Sequence, residues 1–236
     1  MNHSVRRWIR LLPIGVVLGA VSFFAGLSFV ARQSANPAHP LTGRRVAGIA
    51  TDAQWMDRAS REDEEQPERA LDLIGITPGM IVADIGAGSG YMSTRLARRV
   101  GPRGKVYAND LQPSLLQILK SKLQQEHLSN VELVLGNEGD ARLPTSAIDL
   151  ALLVDVYHEL SQPQRMLQSI RRALKPDGRL VLVEYRKEDP GIPIAELHRM
   201  SVADARAEVE AEGFTFDKAI EQLPRQHIIV FRRPAH

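Results

Sequence analysis

The run Ile81-Val-Ala-Asp84-Ile-Gly86-Ala-Gly88-Ser-Gly90 constrains this chain more than any other stretch of its 236 residues. An apolar strand ends beside an acid and passes directly into three alternating glycines. Glycine lets a backbone approach a ligand where a Cβ would collide, so the junction is expected at the edge of a parallel sheet, beside a small anionic or nucleoside-bearing cofactor. The spacing then separates cofactors. A dinucleotide fingerprint needs G-x-G-x-x-G, and Tyr91 stands where its third glycine belongs. A phosphate loop of the G-x-x-x-x-G-K-[ST] kind is absent.

A second feature lies at the right separation. Lys105-Val-Tyr-Ala-Asn-Asp110 is another strand pattern ending in an acid, about 20 residues beyond Gly90, where such folds set a carboxylate on ribose hydroxyls. Taken alone, Asp110 would pass for a capping acid before Pro113, and the glycines for a tight turn. The two together point to one nucleoside site.

The pattern D-x-G-x-G-x-G followed by Asp110 resembles that of the class I S-adenosylmethionine-dependent methyltransferases, and the resemblance extends from about Glu68 to Phe231. It implies an α/β fold, a doubly wound, mostly parallel, Rossmann-like sheet of seven strands with the last one antiparallel. It also implies S-adenosylmethionine as cofactor, held by Asp84, Gly86, Ala87, Gly88, Gly90, Asp110, Leu111 and Asp155. A polar residue after the third strand would meet the adenine. Asn137 and Asp140 both qualify, with Asp140 preferred because Ala141 follows it.

Patterning along the chain fits alternating strands and helices. Helices are expected over about 91–100 and 113–126, and strands over 131–135, 148–154 and 180–184. The unbroken apolar run Ile148–Val154 suits a strand buried on both faces. Ser161-x-x-Gln164 and Ser201-x-x-Asp204 read as capping boxes for two further helices, the first reaching Leu174 and stopped by Lys175-Pro-Asp-Gly178. Strands near 214–220 and 227–232 complete seven.

The loop after the fourth strand carries Asp155-Val-Tyr157-His158-Glu159. The resemblance places the methyl acceptor here, with His158 and Tyr157 as candidate catalytic residues. An imidazole titrates near neutrality and suits proton removal from a hydroxyl, amine or carbon acid. The competing reading is a helix-starting structural histidine, since transfer from a sulfonium often needs only alignment. Tyr157 would orient the acceptor, and Asp155 would offset the cofactor's positive charge. The segment Glu188 to Met200 is expected to wall the acceptor site. Arg186 reads as an exposed strand-end arginine. His198 and His227 sit on separate segments without ligand spacing, so no metal site is expected.

The N-terminus reads differently. Arg6, Arg7 and Arg10 precede 21 uncharged residues, 11–31, which would span about 31 Å as a helix. Residues 1–10 are thus a basic flank and 11–31 a single membrane-spanning anchor, with a cleaved secretory or periplasmic signal as the alternative. Residues 32–52, containing Pro37, Pro40, Gly43 and Gly48, read as a surface linker, and 53–236 as the catalytic domain. The run Arg58 to Glu65 reads as a solvated charged helix without chemistry. Trp55 is either a lid over the cofactor or core packing.

Charge excludes one class of partner. Residues 1–52 hold six arginines against one aspartate, whereas the remainder holds 24 basic and 27 acidic side chains. A mildly acidic catalytic domain argues against a nucleic-acid substrate, which needs a basic face. Cysteine is absent, which removes thiolate ligands and nucleophiles. The expected activity is methyl transfer to a small or lipid-like acceptor at a membrane, the alternative being a cofactor-binding scaffold without turnover.

Overall fold

A computed structural model of the chain describes residues 37–235. Three short helices, α1 (Ala53–Met56), α2 (Arg61–Glu65) and α3 (Pro67–Ile74), lead into β1 (Ile81–Ile85). Then follow α4 (Tyr91–Val100), β2 (Lys105–Asp110), α5 (Pro113–Gln125), β3 (Val131–Leu135) and β4 (Ile148–Val154). The second half contains α6 (Pro163–Ala173), β5 (Leu174–Arg186), β6 (Arg199–Met200), α7 (Val202–Ala211), β7 (Thr215–Ile220) and β8 (Gln226–Arg232).

The sheet runs β3-β2-β1-β4-β5-β8-β7, with β6 paired to β5. All pairings are parallel except those of β8 with β5 and with β7. Strand order therefore reverses between β1 and β4, which opens a crevice at their carboxyl ends. Period-two alternation sends Leu150 and Leu152 of β4 into one core with Val82, Leu96 and Val181, and Ala151 and Leu153 into another with Ile85, Leu167 and Leu182. Both faces of the central strands are thus covered, as the apolar run in β4 requires.

The sheet corrects the expected strand number: it has eight strands, not seven. The extra strand, β6, has two residues, pairing Tyr185 with Arg199 and Arg186 with Met200, too few to show any alternation in sequence. Two local readings change as well. The backbone of β5 begins pairing at Leu174, and Lys175–Gly178 forms an irregularity inside the strand, between the Ile148–Leu174 and Leu150–Arg179 pairs. At α6 the N-cap is Gln162 and no side chain caps the helix, because the Ser161 hydroxyl donates to Glu138 instead (3.0 Å). The Ser201 cap of α7 forms, accepting from the Asp204 N–H at 3.0 Å.

The membrane-spanning helix expected over 11–31 falls outside the described residues, and among those described no helix is long and apolar enough to cross a membrane. Residues 37–50, read as linker, lie against the domain: Val46 and Ala47 are buried, and the Ala47 N–H donates to the His158 carbonyl at 2.9 Å.

Candidate active site

The crevice at the switch point holds a cavity of about 450 Å³, within the range of small-molecule sites. Its walls come from the loops after β1, β2, β3 and β4, from Tyr185 on β5, from α1 and α2, and from residues 193–198. The loops after β1, β2, β3 and β4 enter it from the carboxyl ends of their strands, and residues 49–61 close it from the N-terminal side.

The glycine loop is shaped by what surrounds it. Gly86 and Gly88 have φ of +71° and +55°, a region that side chains rarely enter. A Cβ on Gly86 would stand 2.6 Å from a Val156 methyl, and one on Gly88 2.8 Å from the Met56 sulfur. The loop is held across the sheet by Asp110, whose Oδ2 accepts the Gly88 N–H while Oδ1 accepts the Gln112 N–H, both at 2.8 Å. Burial raises the Asp110 carboxyl above its usual range, against the lowering effect of those N–H groups. At the end of β1, Asp84 is 2% exposed and accepts the Ser93 hydroxyl at 2.5 Å. Burial pushes its pKa up to about 6.

Gly86, Ala87, Gly88, Asp84, Asp110 and Leu111 all line the cavity. Gly90 does not. Its φ of +90° opens α4, and a Cβ there would collide with Leu119, so its role is to let the loop turn into the helix. Asn137 lies on the cavity wall, whereas the preferred adenine residue, Asp140, does not. The Asp140 carboxylate is occupied by the Arg142 N–H (2.8 Å) and the Ser169 hydroxyl (2.7 Å), which tie the loop to α6. Asn137 Oδ1 accepts the Gly139 N–H at 3.0 Å.

Asp155 follows β4 with φ +54°, a conformation costly for a residue with a side chain and frequent at functional sites. Oδ2 accepts from Gln226 at 2.8 Å and lies 3.9 Å from the Arg61 guanidinium. Burial, and then the neighbouring Glu65 and Glu184 carboxylates, hold its pKa well above the usual range. Oδ1 is buried at the cavity with no hydrogen-bond partner among the described residues, as is the Ser89 hydroxyl. Two unpartnered polar atoms and a glycine cradle suit a cofactor with one polar, positively charged arm and one nucleoside.

Beyond them lies His158, 1% exposed, with Nδ1 2.5 Å from Glu184 Oε2. Glu184 is fully buried, and its other oxygen accepts the Tyr157 N–H at 2.8 Å. Burial by itself would lower the His158 pKa, but the carboxylates of Glu184, Asp155 and Glu159 together outweigh it and the net direction is upward. With Nδ1 occupied, Nε2 faces His198 Nδ1 at 3.1 Å. Glu159 Oε1 stands 3.9 Å from the first and 4.0 Å from the second. His158, Glu159 and His198 thereby offer three donor atoms within 4.8 Å of one another, a grouping that their spacing in sequence does not suggest. His227 does not join them. It pairs across from Glu184 on β8.

Tyr157 is not at the cavity. Its ring is fully buried in the core, with the Arg44 guanidinium 5.5 Å above it. The turn that raises His158 toward the cavity sends its neighbour down. Arg186 is likewise absent, its guanidinium donating to the carbonyls of Leu223, Pro224 and Gln226.

The charged helix read as solvated is instead part of the site. Arg61 and Glu65 are 8% and 3% exposed, and Arg58 and Arg61 line the cavity. Arg61 Nε donates to Glu65 Oε2 at 2.8 Å and its guanidinium stacks on Tyr91, while Glu65 Oε1 accepts the Tyr185 hydroxyl at 2.8 Å. The i,i+4 spacing of Arg61 and Glu65 was the available signal. Trp55 is 53% exposed under the Arg58 guanidinium (3.9 Å) and belongs to the cavity wall, not to the core.

A doubly wound sheet with a reversed last strand, a cradle of glycines at its switch point and an acid at the end of β2 define a class I S-adenosylmethionine-dependent methyltransferase. The chain belongs to the methyltransferase domain family, whose model matches residues 76–225. The chain is 30% identical over 119 residues to the ubiquinone/menaquinone biosynthesis C-methyltransferase UbiE of Hydrogenovibrio crunogenus, covering 50% of this chain and 47% of that protein. It is 26% identical over 160 residues to UbiE of Vibrio vulnificus, covering 66% and 62%. The chain thus spans about half to three fifths of the length of these curated relatives. Among solved structures, a SAM-dependent methyltransferase from Aquifex aeolicus superposes with a TM-score of 0.72 at 27% identity, covering 77% of this chain and 96% of that one.

Proposed function

We propose that the enzyme methylates a small hydroxylated aromatic acceptor of quinol type, whose nucleophilic atom is activated by loss of a proton at the His158 end of the cavity. The observation that carries this reading is the buried Glu184–His158 pair on the cavity wall, whose Nε2 meets His198 Nδ1 at 3.1 Å. The relatives named as quinone C-methyltransferases support the same class of acceptor.

Bound in the cradle, S-adenosylmethionine supplies an electrophilic methyl: the acceptor forms a bond to that carbon as the carbon–sulfur bond breaks, leaving a neutral thioether. The chain's own residues do the rest. Asp110 would receive ribose hydroxyls, and Asp84 and Asp155 would offer carboxyl oxygens to the cofactor's cationic arm. Asn137 lies where an adenine edge would be met. Ile49, Trp55, Met56, Val156 and Ile194 wall the cavity with apolar surface and exclude water from the acceptor's ring. Buried Glu184 bonds His158 Nδ1 and fixes the tautomer, so that the Nε2 lone pair is the one available at the acceptor end of the cavity.

The test is incubation of the full chain with methyl-labelled S-adenosylmethionine and a panel of hydroquinones and simple phenols. A product one methyl heavier, formed from hydroquinones and lost in His158→Ala, is expected. Cofactor binding without label transfer to any hydroxylated aromatic would overturn the acceptor class.

A further inference from the structure

We propose that His158 Nε2, Glu159 Oε1 and His198 Nδ1 bind one divalent first-row transition-metal ion at the acceptor end of the cavity. The ion would bind the acceptor through an oxygen donor. The inference rests on the reading above, that this end handles an ionisable hydroxyl, and specifies what draws the charge.

Geometry comes first. The three atoms are separated by 3.1, 3.9 and 4.0 Å, and those sides leave a point about 2.1 Å from each, the length of a Zn–N or Zn–O bond. Two imidazoles and one carboxylate are a common donor set for zinc, cobalt, manganese or ferrous iron, and three protein ligands leave room for a further oxygen. All three residues line the cavity, so the remaining coordination positions look toward the acceptor.

The surroundings match a metal centre independently. Ligating histidines usually bond their second ring nitrogen to a carboxylate, which sets the tautomer and ring orientation. Glu184 does this for His158 at 2.5 Å. Glu159 is oriented similarly, with Oε2 accepting the Ala50 N–H at 3.1 Å and Oε1 left facing the two rings. Its side chain is only 12% exposed, and among the described residues these two imidazoles are its sole cationic neighbours within 4.0 Å.

The rings meet edge to face, with centroids 5.1 Å apart and planes at 87°. The contributing segments are distant in sequence, since His198 lies on the single turn Glu196–His198 that precedes β6. The two-residue pairing of β6 with β5 is what brings that turn over His158.

The experiment uses the full chain, stripped with a chelator and titrated with Co²⁺, followed by visible absorption and by calorimetry. One Co²⁺ per chain is expected, with ligand-field bands that shift when catechol is added as an oxygen-donor probe. His198→Ala and Glu159→Gln are each expected to weaken Co²⁺ at least 100-fold, and Glu184→Gln by 10- to 100-fold. Because His198 is partly exposed, His198→Ala should keep the parent melting temperature, and S-adenosylmethionine affinity measured on the same samples reports an intact fold. No saturable Co²⁺ binding by the folded parent, or binding that His198→Ala leaves unchanged, would overturn the site. Saturable Co²⁺ binding lost in these variants, with no methylation of hydroxylated aromatics, would retain the metal site and reject the acceptor class.

Discussion

The carboxylate of Asp110 accepts the backbone N–H of Gly88 at 2.8 Å, so that two loops 22 residues apart form one wall of the cofactor cradle. One oxygen is engaged by Gly88 and the other by Gln112, which sets the carboxylate plane and leaves lone pairs for a diol.

Asp110→Asn retains the shape but loses the charge. Charge-assisted hydrogen bonds contribute about 1.5–3 kcal/mol, so S-adenosylmethionine affinity is expected to fall roughly 10- to 100-fold by calorimetry. An affinity within twofold of the parent would remove Asp110 from the ribose site.

Gly90→Ala tests the entry to α4. The substitution combines a φ of +90° with a collision against Leu119, which is itself fully buried. Urea denaturation is expected to show a loss of about 2–4 kcal/mol from strain and overpacking together. Gly101→Ala, at φ +66° with nothing near its Cβ, should cost about 1 kcal/mol.

Arg44 and Glu208 form a buried ion pair that fastens residues 37–50 to α7, with Nε at 3.0 Å and Nη2 at 2.9 Å from the two carboxylate oxygens. Thr42 donates a third bond to the same group. Arg44→Met strips Glu208 of its bidentate partner and leaves Thr42 and His39 (Nδ1 at 3.6 Å) beside it, at a cost of about 3–5 kcal/mol. Arg44→Met with Glu208→Leu should recover most of that loss, and chemical denaturation of the three proteins measures the difference. A double variant as unstable as the single one would mean that packing, not the stranded charge, is responsible.

Asp84 should leave a signature in the pH dependence of stability. Its pKa rises from 3.8 in the unfolded chain to about 6 in the folded one, so the folded state holds the extra proton between those values. Its contribution to stability is therefore complete below about pH 4 and is lost as pH rises through about 6. The maximum effect is about 3 kcal/mol at roughly 1.4 kcal/mol per unit. Comparing Asp84→Asn with the parent at pH 4, 5, 6 and 7 should show the variant gaining relative stability across this window. Parallel pH profiles would exclude the shift.

The glycine-loop half of the cavity was largely legible in the chain. Ile81–Gly90 and Lys105–Asp110 each combine an apolar strand pattern with a terminal acid or glycines, and their local chemistry already demands a strand followed by a close-approach turn. The acceptor half was not. Tyr157 and His158 are adjacent, and nothing in their identities tells which enters the core and which the cavity.

Sequence by itself determined the alternation of strands and helices, the glycine loop at the end of β1 and the class of enzyme, because those depend on contacts among residues near one another in the chain. Tertiary structure alone decided that Arg61 and Glu65 are buried at the cavity, that Asn137 lies on its wall while Asp140 braces α6, and that His198 meets His158 across 40 residues. Those outcomes depend on desolvation and on long-range pairing. Whether a charged side chain is solvated or enclosed is set by what packs over it, which neither spacing nor composition records.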